Sequence, residues 1–298
     1  LFLEFSRKLT NSSLYLRLGR REYVYGKSRW LSFREGPNTR LSFDGINLSW
    51  KSTAELELYL LAPVTINPHF FDNKTAWNHK RIGFHLSSKH WIPKSQLDIY
   101  GLWFQSPDYL PFMGHAEGKL ALGIREKVIL TRLELDWELM LQLASLGNAA
   151  TSAWMLGLDM RVQPWKEFDK LKLGMEALHT SGHSGLRSMT FQSLHPSNFN
   201  TKNIDLVGKH NLTYFQPFIT FFPTAKDFIN VEVGYYMKSS KSDNVYNIPG
   251  FVLYDPEQYS ASSLGTQINL VYSRFWNSFI QTQISYCRFQ VSDDLARA

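Results

Sequence analysis

Glu134, Asp136 and Glu138 alternate along one short stretch, and paired carboxylates are what acid–base hydrolysis of glycosides uses. His179 and His183 stand four apart, the spacing of two metal ligands on a helical turn. Gly182-His183-Ser184-Gly185-Leu186 approaches a nucleophile elbow, yet leucine stands where Gly-x-Ser-x-Gly needs its second glycine. A different chemistry belongs to the cations Arg17, Arg21, Arg40, Arg81, Arg125, Arg132, Arg161, Lys170 and Lys172. Guanidinium groups bind carboxylates through two parallel hydrogen bonds, so a channel lined by them would suit an anionic solute.

The elements that must carry these groups decide between the readings. Leu133, Leu135, Trp137 and Leu139 alternate with the three carboxylates, so the acids share one face of a strand. The same period of two runs through Trp154–Val162, Leu171–Met175 and Ile229–Tyr235, one apolar and one polar face each. Roughly 14 such segments follow one another, most of them about 10 to 14 residues long, and no stretch repeats every 3.6 residues. The two histidines fall among Gly, Ser and Thr, which favour a solvated loop over a metal-binding helix turn. No phosphate loop or dinucleotide fingerprint is present. We therefore expect no enzyme activity, no cofactor and no metal.

Composition narrows the class further. The 298 residues are 44% hydrophobic and 15% aromatic but only 19% charged, against about 25% charged in ordinary domains. Aromatic richness excludes disorder, and the absence of heptads excludes a coiled coil. The longest apolar stretch, Leu58–Val64, falls far short of the ~20 residues of a spanning helix. A single cysteine excludes a disulfide framework. The net charge of +6 is scattered singly along strands rather than gathered in a patch, so nucleic acid is not an expected partner.

Strand length and connection rhythm point to the membrane. Soluble strands average about 5–6 residues, whereas a tilted membrane strand needs ~9–11. Connections alternate short and long down the chain, with a lone exception at 145–149. Short turns at one rim and long loops at the other describe an outer-membrane barrel. A soluble antiparallel sandwich would share the alternation without that rhythm. Aromatics such as Trp50, Trp91, Trp103 and Trp276 gather near segment ends, as at a membrane–water boundary.

Residues 18–45 carry Leu18-Gly19-Arg20-Arg21-Glu22, Tyr25-Gly26-Lys27-Ser28-Arg29 and Pro37-Asn38-Thr39-Arg40-Leu41-Ser42-Phe43-Asp44-Gly45. This stretch resembles the signature of the alginate-export family of bacterial outer-membrane barrels, with Arg21 in place of the usual glutamine. Weaker echoes are Gly208–Leu212, Asp243–Tyr246, Gly265–Asn269 and Tyr286–Phe289. The resemblance implies an all-β, transmembrane, antiparallel up-and-down barrel of eighteen strands in the outer membrane of a Gram-negative bacterium. Residues 1–298 are then expected to be a single barrel domain, a fragment incomplete at the N-terminus and at the C-terminus.

If apolar residues face lipid, polar ones face the lumen. That places Arg17, Arg21, Arg40, Arg81, Arg125, Arg132, Arg161, Lys170 and Lys172 inside, together with Glu134, Asp136 and Glu138. Arg40 is expected on the strand that follows Arg17 and Arg21, giving a cluster of three. Such charges either select anions or neutralise one another, and both readings stay open. The resemblance implies a channel exporting an anionic polysaccharide, with outer-membrane lipid and periplasmic export proteins as partners and a monomeric barrel. The alternative is a diffusion or uptake porin for small solutes.

Overall fold

The structure, a computed structural model, describes residues 1–29, 31–33, 40–67, 72–105, 118–146, 149–165, 170–184, 189–193, 206–248 and 250–297. Parts of two motifs, Pro37–Thr39 and Gly185-Leu186, lie outside these residues. The strands are β1 (Phe2–Lys8), β2 (Ser13–Arg21), β3 (Phe43–Lys51), β4 (Ala54–Thr65), β5 (Lys74–Thr75), β6 (Arg81–Ser88), β7 (Ser95–Phe104) and β8 (Lys119–Ile129). They continue as β9 (Leu133–Leu146), β10 (Ala149–Val162), β11 (Leu171–Thr180), β12 (Leu212–Thr224), β13 (Asp227–Lys238), β14 (Val245–Tyr246), β15 (Val252–Tyr254), β16 (Ser263–Phe275) and β17 (Gln281–Val291). No α-helix occurs among the described residues.

A 15-stranded antiparallel sheet takes all but β14 and β15, which form a small hairpin of their own. β5 pairs only with β4, and the remaining strands follow one another in chain order from β1 to β17. The alternating segments thus become an up-and-down meander, since strands joined by a turn pair with each other. The turns before β2, β4, β7, β9, β13 and β17 are short, while the connections 22–42, 66–80, 105–118, 181–211 and 239–262 are long.

Burial is inverted relative to a soluble protein. On β9, Leu139, Leu141 and Leu143 are exposed, while Asp136, Glu138 and Gln142 are buried. β10 and β13 repeat the pattern: Trp154, Leu156, Val231 and Tyr235 are exposed against buried Asp159 and Glu232. Apolar side chains so placed face hydrocarbon, and polar ones face the interior.

The sheet must curl to bury that polar face. Tyr25 donates to Glu57 and lies against His85, on β4 and β6. Lys27, two residues on, pairs with Asp159 and Glu176, on β10 and β11. Six strand spacings separate β4 from β11, roughly 29 Å in a flat sheet. Adjacent side chains of one loop cannot bridge that distance. The wall therefore wraps around Tyr25, Lys27 and Arg29 of the connection after β2, which lie in the interior.

Three strand starts differ from the sequence expectation. Arg40 is not on a strand, because β3 starts at Phe43. Arg132 and Lys170 sit in turns, directly before Leu133 of β9 and Leu171 of β11, rather than on the inner wall.

Candidate functional site

Within the wall, three neighbouring strands present charges at matched heights. Asp98 of β7 is the cross-strand partner of Arg125 on β8, and Arg125 faces Glu138 of β9. Period two keeps all of these on one face. Arg125 binds Asp136 with two parallel bonds, Nε to Oδ1 at 2.9 Å and Nη2 to Oδ2 at 2.5 Å. Its Nη1 donates to Asp98 Oδ2 at 2.7 Å. One guanidinium so placed spans two carboxylates and three strands, and all three residues are buried. Breaking such a buried pair from one side costs about 3–5 kcal/mol.

Glu138 is held from the interior. Arg29 Nη1 donates to its Oε2 at 2.9 Å and the Tyr100 hydroxyl to its Oε1 at 2.5 Å. Arg29 belongs to the loop after β2, whose Gly26 adopts φ 59° and passes so close that an added Cβ would lie 2.9 Å from Glu138 Oε1. Glycine supplies both the left-handed backbone and the space. Gly157 on β10 clears the Arg29 guanidinium in the same way, where a Cβ would meet Nε at 2.6 Å. Tyr25 stacks on Tyr59 at 5.3 Å and leans on His85 at 4.8 Å between centroids. The loop is thereby pinned to both sides of the interior.

A second long connection meets the first. Ser193 Oγ donates to the Arg29 carbonyl at 2.9 Å, and Gln142 of β9 exchanges bonds of 2.7 and 2.9 Å with the backbone of Gln192. Lys209 and His210, from the same connection, are also buried. Burial lowers Lys209 to about 7 and His210 to about 4, Asp243 opposing the shift of the histidine. Burial likewise lowers Lys27 to about 8, against the pull of Glu176.

Across the interior, Glu232 of β13 is held differently. Gln216 Nε2, Asn269 Nδ2 and Asn230 Nδ2 reach its carboxylate at 2.7, 3.1 and 2.5 Å. Tyr236 donates to Gln216, and Gln267 donates to Asn269. Carboxamides carry this sector.

The nine cations picked from sequence do not form one group. Arg17 bonds Glu4 at 2.5 Å and Asn47 at 3.1 Å, with Glu57 at 3.9 Å. Arg21 lies over the rings of Phe2 and Tyr23. Arg40, off the strand, pairs with Glu22 at 3.4 Å and covers Phe33. The expected cluster of Arg17, Arg21 and Arg40 is therefore three separate arrangements. Arg81 spends Nη1 on the carbonyls of His79, Lys80 and Gln105, clamping backbone at the long-loop rim. Arg161 pairs with Asp159 at 3.4 Å over Phe218, and Lys172 lies 3.5 Å from Glu134. Arg132 and Lys170 are exposed in their turns. Arg125 alone of the nine enters the buried network.

Sequence reasoning missed Arg29, Tyr100 and Lys27 as interior groups. Tyr100 shares parity with Asp98 and was legible in that respect. Arg29 and Lys27 lie in a loop, where no periodicity reports direction. His183, in its loop, donates its backbone N–H to Asp243, with no helix around it. Among the described residues no group of three or more His, Cys, Asp or Glu could hold a metal ion.

Comparison with known proteins agrees with this geometry. The Alginate export family matches residues 1–298. Two crystal structures from Pseudomonas aeruginosa share the fold. OccK11 (OpdR) has a TM-score of 0.57 at 12% identity, covering 97% of this chain and 75% of that one. OccK8 (OprE) has a TM-score of 0.56 at 11% identity, covering 97% and 76%. No curated protein matches the chain.

Proposed function

Since the chain belongs to the Alginate export family, an outer-membrane β-barrel channel of a Gram-negative bacterium rather than an enzyme, we propose that it passes an anionic polysaccharide of the alginate kind. The family match over the whole chain carries this reading. Inner-face cations support it: Arg17, Arg21, Arg125, Arg161 and Lys172 lie on the interior parity of their strands. A uronate chain offers one carboxylate per sugar, which guanidinium binds bidentately. Among the described residues, Arg29 and Gln192 of two long connections lie against the inner face, and Arg125 and Arg29 are engaged by Asp98, Asp136 and Glu138. Transport then requires the loop after β2 to leave Glu138, exposing Arg29 to the solute.

A second reading, a porin for small solutes, draws on that same internal pairing, because neutralised cations give a polyanion less to hold. The two readings part in a planar bilayer containing the full-length protein. Uronate oligomers of six to eight sugars are added to one side, with neutral dextrins of equal length as control. Polysaccharide passage predicts current blocks at concentrations about tenfold lower for the uronates than for the dextrins. Equal blocking by both sets would sink the anionic-polysaccharide reading in favour of the porin.

A further inference from the structure

Four successive turns at one rim, those before β7, β9, β11 and β13, end on a basic residue in one structural position. Lys94, Arg132, Lys170 and Lys226 directly precede β7, β9, β11 and β13. Each gives its carbonyl to a backbone N–H at the end of the next hairpin: Ile129 to Lys94 at 2.9 Å, Gln163 to Arg132 at 2.9 Å, Phe222 to Lys170 at 2.8 Å and Phe275 to Lys226 at 2.8 Å. The equivalence is therefore set by the sheet. The cations recur every second strand, about 10 Å apart along the rim. All four are exposed, and none makes an ion pair among the described residues. Lys94 keeps its place at φ 60°, a conformation that costs a non-glycine residue free energy.

Between the cations stand exposed apolar side chains. Trp91 and Ile92 flank Lys94, Ile129 and Leu130 flank Arg132, Trp165 precedes Lys170, and Trp276, Phe279 and Ile280 follow the strand bonded to Lys226. Glu167 and Asp169, beside Lys170 in sequence, lie outside the described residues. Aromatic and aliphatic side chains interspersed with cations that make no ion pair among the described residues match a lipid headgroup boundary. A protein partner would take one contiguous patch, whereas this pattern repeats from hairpin to hairpin and follows the circumference. Short turns lie at the periplasmic side of an outer-membrane barrel, so the leaflet they meet is phospholipid.

We propose that Lys94, Arg132, Lys170 and Lys226 form a collar that binds the phosphodiester headgroups of anionic phospholipids in the periplasmic leaflet. Each ammonium or guanidinium takes a headgroup phosphate while the adjacent Trp or Ile side chains sit among the glycerol and upper acyl carbons. The collar acts on the outer rim, so it is independent of what crosses the interior.

The full-length protein in mild detergent is incubated with equal amounts of phosphatidylglycerol and phosphatidylethanolamine, and retained lipid is weighed by native mass spectrometry. The wild type is expected to prefer phosphatidylglycerol by at least about tenfold at low salt, each cation contributing about fivefold. The quadruple variant Lys94→Gln, Arg132→Gln, Lys170→Gln, Lys226→Gln should lose that preference while keeping a heat-modifiable gel band. Lys94→Arg, Lys170→Arg, Lys226→Arg should retain it. If the quadruple variant does not assemble, the four single variants must each lower the preference. A wild type without preference, or variants that keep it, overturns the proposal. So does release of the lipid by soluble uronate oligomers or by free glycerophosphate at equal charge, which would assign the collar to the transported solute or to phosphate in general.

Discussion

The β7–β9 sector and the β12–β16 sector bury carboxylates on the same inner face of one sheet by opposite means. In the first, Asp98 and Asp136 share Arg125, and Glu138 takes Arg29 and the Tyr100 hydroxyl. In the second, Glu232 rests among Gln216, Asn230 and Asn269. Ion pairing makes the acid and the base mutually dependent, because removal of either leaves a buried charge. Carboxamides leave the carboxylate's charge in place but stake less on any one donor. One wall is thus a lock with a key residue, and the other is a distributed network.

The sharpest break in that comparison is Arg125→Met. It strands Asp98 and Asp136 together and should cost about 3–5 kcal/mol, read as an earlier urea midpoint of the folded barrel. Asp136→Asn should cost less, because Asp98 still holds the guanidinium. If Arg125→Met unfolds like the wild type, the sector is not a lock. Next in size is a test of facing. Leu139 is exposed on β9 beside buried Glu138. Leu139→Arg should cost ~2–4 kcal/mol by placing a cation against hydrocarbon, measured by assembly yield into vesicles. A normal yield would mean that this face does not meet lipid.

The strands were legible because period two needs nothing but the residues themselves. Leu133 to Leu139 alternates so strictly with Glu134, Asp136 and Glu138 that both faces of β9 can be written down from sequence. The short and long connections were legible for the same reason, as gaps between alternating runs. Charge partners were not. Arg29 meets Glu138 across 109 positions, and no local signal reports a loop folded into the interior. Arg40 was misplaced because Leu41-Ser42-Phe43 continues an alternation that the backbone begins only at Phe43. Arg132 and Lys170 erred by one residue at strand starts, where hydrogen bonding, not polarity, decides the boundary.

The carboxamide sector gives the smaller stability effect. Glu232→Gln keeps shape and most acceptor capacity, and neighbouring amides can turn to suit it. A loss of about 1 kcal/mol is expected, the difference between a charged and a neutral acceptor. Ion selectivity should nevertheless move toward anions, since a fixed interior charge is gone. A loss as large as that of Arg125→Met would erase the contrast between the sectors.

The mildest effect is a pH dependence confined to the loops that lean on both sectors. His210 is buried, its Nδ1 has no hydrogen-bond partner among the described residues, and burial lowers it to about 4. Once released, the loop regains an ordinary histidine near 6.5. The released form therefore binds the proton first as pH falls. Docking is at full strength above about 6.5 with respect to His210, and weakens down to about 4, below which both forms are protonated. Lys209, lowered to about 7, acts in an earlier window: docking weakens as pH falls from its ordinary 10.4 to about 7, then levels. Of these two groups, only the histidine supplies a slope between pH 6.5 and 4, at most about tenfold per pH unit. Hydrogen exchange over residues 206–211 should quicken across that window after correction for intrinsic rates. Exchange in β9 and β13 should stay flat, because their backbone N–H groups are held by the ladders to the neighbouring strands. His210→Gln should remove the acid slope and leave the alkaline one, whereas a slope unchanged in that variant would show that the loop senses protons elsewhere.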